Sequence, residues 1–183
     1  MCKEVNIRDL AVIFVSFVLI GILFWFAKPL TLIWPMLALF ALVWFVIELK
    51  YNSKDVKRVR NALLVGLFLM LFDFAFENSG TFANLWRSSG SNFVVLTVPA
   101  EVMFVCLIGG AAWALYLPKK FNVKHSALDI ALFAVFGAIG EYVLMNNGLM
   151  TYYQWWTSWH ALISYALTWV ILHAVRYKVL PDE

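Results

Sequence analysis

Six stretches of mostly apolar residues divide this sequence, at roughly 9–27, 31–49, 61–78, 93–116, 126–146 and 158–176. Each is close to the ~20 residues that a helix needs to cross the hydrocarbon of a bilayer. The runs are continuous rather than alternating, as expected of helices and not of barrel strands. A helix also satisfies its own backbone hydrogen bonds where water is absent. The fold class expected is therefore all-α: a polytopic membrane protein, one transmembrane domain over 1–183 with six transmembrane helices. Composition supports this. Of the 183 residues 63% are hydrophobic, against about 45–50% in ordinary soluble domains, so one compact domain in water could not hide them. The first run is followed by "AKPLTLIWP" without a small-residue cleavage site, and is read as a retained helix rather than a signal peptide.

The links between the runs orient them. Lys3, Arg8, Lys50, Lys54, Lys57, Arg58, Arg60, Lys119, Lys120, Lys124, Arg176 and Lys178 all fall on one side of a six-span chain. Lys28 and Arg87 fall on the other. The positive-inside rule then gives an N-in/C-in arrangement in the cell membrane, with both termini cytoplasmic. This topology accounts for the basic loops, so no nucleic acid partner is expected; the partner of most of the surface is membrane lipid. Trp86, Tyr152, Tyr153, Trp155, Trp156 and Trp159 gather in the two long outer links. They read as an aromatic belt at the headgroups or as the wall of a cavity opening there.

Ionisable residues inside the runs carry the functional signal, because each costs a few kcal/mol in hydrocarbon. Asp73 and Glu77 sit one helical turn apart in "LFLMLFDFAFENSG". Helical rise places Glu101 about 12 Å below the outer end of the fourth run, and Glu141 about 8 Å below the outer end of the fifth. His160 opens the sixth. Arg87, Asn78 and Asn146 lie in or beside the adjoining loops, and Tyr142 follows Glu141. The expectation is that these acids meet in a polar pocket in the outer half of the bilayer; the plainer alternative is helix-to-helix pairing with His160 or Arg87. Carboxylates held close together cannot all ionise. Such a set leaves proton donors beside ionised acceptors, which suits acid–base chemistry on an apolar substrate, or transport of protons or cations. Glu48, Asp129, His173 and His125 are expected to make interfacial pairs, leaving the inner half with few buried polar groups. Pro99 is expected to open the fourth helix beside Glu101.

The third and fifth runs end alike. Asp73 stands seven residues before Gly80 and Glu141 seven before Gly148, and an aromatic-rich outer loop follows each. Two cysteines, Cys2 and Cys106, make no disulfide framework. No P-loop, GxGxxG or GxSxG motif occurs. No metal or cofactor is expected: Glu77, Glu101, Glu141 and His160 are rich in carboxylates, but only one histidine is in place.

An acid, six residues, a glycine and a nearby Trp, then PxE followed by apolar and aromatic residues, resembles the lycopene cyclase domain. This is the integral-membrane carotenoid cyclase type of archaea, some bacteria and fungi. The matching positions are Asp73, Gly80, Trp86, Pro99, Glu101 and Phe104, across the third and fourth runs, with "PAEV" where that family usually has paired acids. The resemblance implies a lycopene cyclase-like isomerase doing redox-neutral chemistry on a carotenoid or other isoprenoid lipid. An acid would protonate a terminal alkene, the carbocation would close a ring or take up water, and a carboxylate would recover a proton. Glu101 and Asp73 would be acid and base, supported by Glu77, Glu141 and His160. Trp86, Arg87, Asn78, Asn146 and Tyr142 would contact the substrate. The alternative function is a small proton- or cation-coupled transporter or channel using the same carboxylates.

Overall fold

The computed structural model describes Val18 and residues 32–182. The first expected span, 9–27, lies outside the described residues except for Val18, and Lys3, Arg8 and Lys28 lie outside them altogether. Five helices fill most of the rest: α1 (Ile33–Asn52), α2 (Val56–Phe82), α3 (Ala100–Tyr116), α4 (Val123–Asn146) and α5 (Ser158–Ala174), the last running on into a wider π turn over Val175–Val179. Two short antiparallel ladders complete it, with strands β1 (Trp86–Ser88), β2 (Val94–Val95), β3 (Val98–Pro99) and β4 (Met150–Tyr152). Four helical stretches, Ile33–Asn52, Val56–Phe82, Val123–Asn146 and Ser158–Val179, are long and apolar enough to cross a membrane; α3 is apolar but shorter. Large apolar side chains such as Leu39, Val46, Ile139 and Leu167 point outward, as suits helices whose solvent is lipid.

Local chemistry sets the helix ends. Pro35 sits in the first turn of α1, where a missing N–H costs nothing. Helix α2 starts five residues before the expected 61, because Asp55 caps it: its carboxylate accepts from the Arg58 backbone N–H at 3.1 Å. Much of the basic link is thus helix. Asn122 caps α4 in the same way through the His125 N–H.

The fourth expected span, 93–116, is corrected by the structure. Its first seven residues are not helical. Val94–Val95 pairs with Val98–Pro99 around Leu96, which has a positive φ of 57°. Pro99 does not open a helix; it stands just before one, as its fixed φ and missing N–H favour. Glu101 therefore lies in the first turn of α3, not about 12 Å down it.

The helices form two groups. In one, α1 and α2 both pack on α3; in the other, α4 packs on α5. Backbones of α2 and α3 touch. A Cβ added at Gly66 would meet the Leu107 carbonyl oxygen at 2.0 Å, and Gly110 faces Gly66 from the other side. Small residues allow such approach between membrane helices. Between the groups, the helices scarcely meet at backbone level. Large side chains fill the space instead: Trp113 of α3 packs on Trp169 of α5 at 4.8 Å between ring centres and stands edge-on to His173 at 5.0 Å. One end of the bundle carries the 83–99 and 147–157 segments (the loop end). The other carries the turns at 53–55 and 117–122 (the turn end).

Candidate functional site

The site begins with a ladder between two loops. β1 and β4 pair antiparallel, with Trp86 opposite Tyr152, Arg87 opposite Thr151 and Ser88 opposite Met150. The Tyr153 N–H extends the ladder by donating to the Leu85 carbonyl at 2.8 Å, and the Ser89 N–H donates to Leu149 at 2.8 Å. β1 leaves the end of α2 and β4 leaves the end of α4, so the ladder ties the two helical groups together at the loop end. Side chains alternate along a strand. Trp86 and Ser88 turn inward, toward the carboxylate of Glu77, and Arg87 turns out.

Three carboxylates gather beneath this ladder. The Trp86 indole N–H donates to Glu77 Oε2 at 3.0 Å. Glu141 accepts from the Tyr152 hydroxyl, and the Tyr165 hydroxyl of α5 also reaches it. Asp73, Glu77 and Glu141 are close enough to repel one another, and the Cys106 thiol of α3 lies within hydrogen-bonding reach of Asp73. Asp73 Oδ2 is buried with no hydrogen-bond partner among the described residues. Outside the helices, burial and then the facing Glu141 carboxylate push the Tyr152 hydroxyl above its ordinary phenol value. It stays protonated and donates.

Two glycines make room for the aromatic walls. A Cβ on Gly80 would fall 2.0 Å from a ring carbon of Trp86. Trp86 is 3% exposed, wedged between Phe76 and Trp156 at 5.1 and 4.3 Å between ring centres. A Cβ on Gly137 would fall 2.6 Å from the Tyr165 ring. Gly140 has nothing within 4 Å, so it is not a contact residue.

The remaining sequence-derived candidates lie elsewhere. Glu101 accepts from Ser91 Oγ at 2.6 Å, in the loop before α3. His160 belongs to the capping box of α5: its Nδ1 lies 2.9 Å from Thr157 Oγ1 and accepts from the Thr157 N–H, while its ring stacks on Trp156. The buried Asn78 accepts from both the N–H and the hydroxyl of Thr97, which pins the β2–β3 hairpin to α2. Arg87, Asn146 and Tyr142 are exposed. The structure thus brings together Asp73, Glu77, Glu141 and Trp86, and adds Tyr152, Tyr165 and Cys106.

The turn end overturns the expectation of few buried polar groups there. Arg58, Asn61, His125, Ser126, Asp129, His173 and Arg176 are all buried. Asp129 Oδ2 accepts from the Trp113 indole at 2.9 Å and faces His173 Nε2 at 2.9 Å. Arg58 reaches Asp182 at 3.1 Å, and Arg176 pairs with the same carboxylate. Arg58 also donates to the carbonyls of Leu115 and Leu117, both at 2.6 Å, so these arginines satisfy the last turn of α3. Asp129 and His173 are therefore buried partners rather than interfacial ones. The missed signal was Trp113: an indole N–H deep in an apolar run needs an acceptor.

Among the described residues no group of three or more His, Cys, Asp or Glu is arranged to hold a metal ion. No protein-family model, curated protein or solved structure matches this chain.

Proposed function

We propose that this chain is an integral-membrane enzyme doing redox-neutral acid–base chemistry, cyclisation or hydration, on a carotenoid or other isoprenoid lipid. The reading places six spans in the cell membrane with both termini cytoplasmic and the loop end outermost. One observation carries it: Asp73, Glu77 and Glu141, from two helices in different groups, converge beside aromatic walls, and one Asp73 oxygen is left unfilled. Clustered carboxylates share protons. One protonated member can donate to an alkene while an ionised neighbour receives the proton later, and the half-buried Trp156 beside Trp86 suits a passing carbocation. In this reading Asp73 and Glu141 replace the Asp73–Glu101 pair implied by the resemblance, since Glu101 is held by Ser91. The test is expression in a host that makes lycopene or another acyclic polyene, followed by pigment analysis. New cyclic or hydrated products that vanish in Asp73→Asn and Glu141→Gln support the reading. Unchanged pigment with folded protein in the membrane sinks it.

A second reading, a small proton- or cation-coupled transporter, has its own support. Buried polar groups also sit at the turn end, on the same helices, α4 and α5, that carry Glu141 and Tyr165. Proton or cation flux in liposomes that disappears in Glu141→Gln would favour it over the enzyme.

A further inference from the structure

The turn end also holds a site that neither reading of the carboxylates uses. Arg58 of α2 and Arg176 of the π turn converge there on one carboxylate oxygen, Asp182 Oδ2. None of the three side chains is more than 6% exposed. Arg58 Nη1 donates to that oxygen at 3.1 Å, and Arg176 Nη2 donates to it as well. Arg176 Nη1 donates to the Leu180 carbonyl at 3.2 Å, and Asn61 Nδ2 to the Pro181 carbonyl at 2.9 Å. These groups of α2 and the π turn are all donors, and residues 180–182 answer them with acceptors. A wall of donors backed by two guanidiniums is a receptor for an anion. The rest of each arginine is fixed. Arg58 Nη2 spans the carbonyls of Leu115 and Leu117, and Arg176 Nε donates to Ala114 at 3.2 Å. These bonds hold both guanidiniums against the end of α3 whatever lies between them.

Asp182 fits this receptor incompletely. It brings one negative charge to two positive ones. Asp55 and Glu48 act on Arg58 from further off, with Asp55 paired to Lys119, and Asp129 is taken up by Trp113 and His173. Asp182 Oδ1 and Arg58 Nε are buried without a hydrogen-bond partner among the described residues. A phosphate monoester carries close to two negative charges at neutral pH and three acceptor oxygens, which is what the carboxylate lacks. The way in is short. Pro181 is exposed and has no N–H to anchor it, so the Asp182 side chain can swing out without any helix opening. Exposed Lys54 and Lys57 directly precede Asp55 and Arg58, and Lys119 joins them through its 2.6 Å pair with Asp55. The approach is therefore cationic.

We propose that Arg58, Arg176 and Asn61 form a phosphate-monoester site at the turn end, in which Asp182 is an exchangeable stand-in. The ligand is inorganic phosphate or the phosphomonoester headgroup of a lipid such as phosphatidic acid, since both present the same dianion. It displaces the Asp182 carboxylate, accepts from Arg58 Nη1 and Arg176 Nη2, and leaves the arginine bonds to α3 in place.

The test titrates wild-type protein and Asp182→Asn with inorganic phosphate in detergent, against sodium chloride at equal ionic strength. Asp182→Asn should start with a lower Tm, because its buried arginines have lost their counter-charge, and phosphate should restore it. The variant should also bind phosphate about tenfold or more tightly than wild type, whose own carboxylate competes. Wild type should reach the same end point at higher phosphate. Nanodiscs of phosphatidylcholine with and without phosphatidic acid form the second arm. Stabilisation by phosphatidic acid alone assigns a lipid headgroup, and stabilisation by inorganic phosphate assigns the free ion. No phosphate-specific shift in either arm overturns the proposal. So does binding by Asp182→Asn with none by wild type, because Asp182 is then a permanent plug. Should the variant not fold, NMR of wild-type protein with nitrogen-labelled arginine decides. The signals of Arg58 and Arg176, two of five arginines, must shift together on adding phosphate or phosphatidic acid, and unmoved signals overturn the proposal.

Discussion

Gly80→Ala should disable the carboxylate cluster without touching a carboxylate. The new Cβ would lie 2.0–2.3 Å from three ring carbons of Trp86, where carbon atoms settle at about 3.5–4.0 Å. The indole must move by well over ~1 Å, and it has little room, lying between Phe76 and Trp156. Its 3.0 Å bond to Glu77 is then lost. Leaving a buried polar group without its partner costs about 1–3 kcal/mol, and the aromatic contacts add about 0.5–1.5. A net loss of roughly 2–4 kcal/mol is expected, or about 4–16 °C in Tm for a chain of this size. Thermal unfolding in detergent, followed by near-UV circular dichroism, measures it. Trp86→Ala removes the obstacle, so Gly80→Ala added to that variant should cost almost nothing further, a coupling that a double-mutant cycle isolates. Equal losses from Gly80→Ala with and without Trp86 would refute the steric account.

Four other outcomes follow from the same geometry. Gly140→Ala, with open space around its Cβ, should be neutral or stabilising by up to about 1 kcal/mol on helix propensity. Gly66→Ala drives a methyl into the Leu107 carbonyl and should destabilise by about 1–3 kcal/mol or more through overpacking, again read as Tm. Tyr152→Phe removes one of the donors to Glu141 and should lower stability by about 1–3 kcal/mol, with loss of whatever activity the cluster supports. Lys119, at 2.6 Å, holds the Asp55 carboxyl below its ordinary value, helped by the Arg58 backbone N–H. A depressed carboxyl contributes stability above the unfolded pKa, and this is lost as pH falls through the folded one. Because the pair is largely exposed, Lys119→Met should lower stability at neutral pH by no more than about 1 kcal/mol, read by thermal unfolding, with the difference fading in acid.

Four of the apolar runs, at 31–49, 61–78, 126–146 and 158–176, are legible because length and hydropathy alone dictate what lipid requires. The error at 93–99 has a clear cause. "FVVLTVP" is as apolar as any helical run, and only its β-branched residues and terminal proline distinguish a hairpin from a helix. Glu101 was misplaced for that reason alone. Convergence of Asp73, Glu77 and Glu141 was foreshadowed by the repeated spacing to Gly80 and Gly148, although those glycines serve different ends. Gly80 yields to an indole, while Gly148 takes a positive φ of 71° after α4. The β1–β4 ladder left no local trace, since strands of three residues in loops more than sixty positions apart carry no pattern of their own. Asp129 and His173 were discounted by their nearness to helix ends. Their burial comes with Trp113 and Tyr177, contacts that only the packed bundle brings about.

That ladder also orders assembly in time. Trp86 emerges from the ribosome long before Tyr152, so a nascent chain can insert α1–α3 and still lack the strand that completes its lid. The acids of α2 then wait, half-dressed, for the final pair of helices to arrive. Closure of the β1–β4 ladder consequently has to wait for residues beyond α4, and a chain cut short there would lack the strand that Trp86 faces.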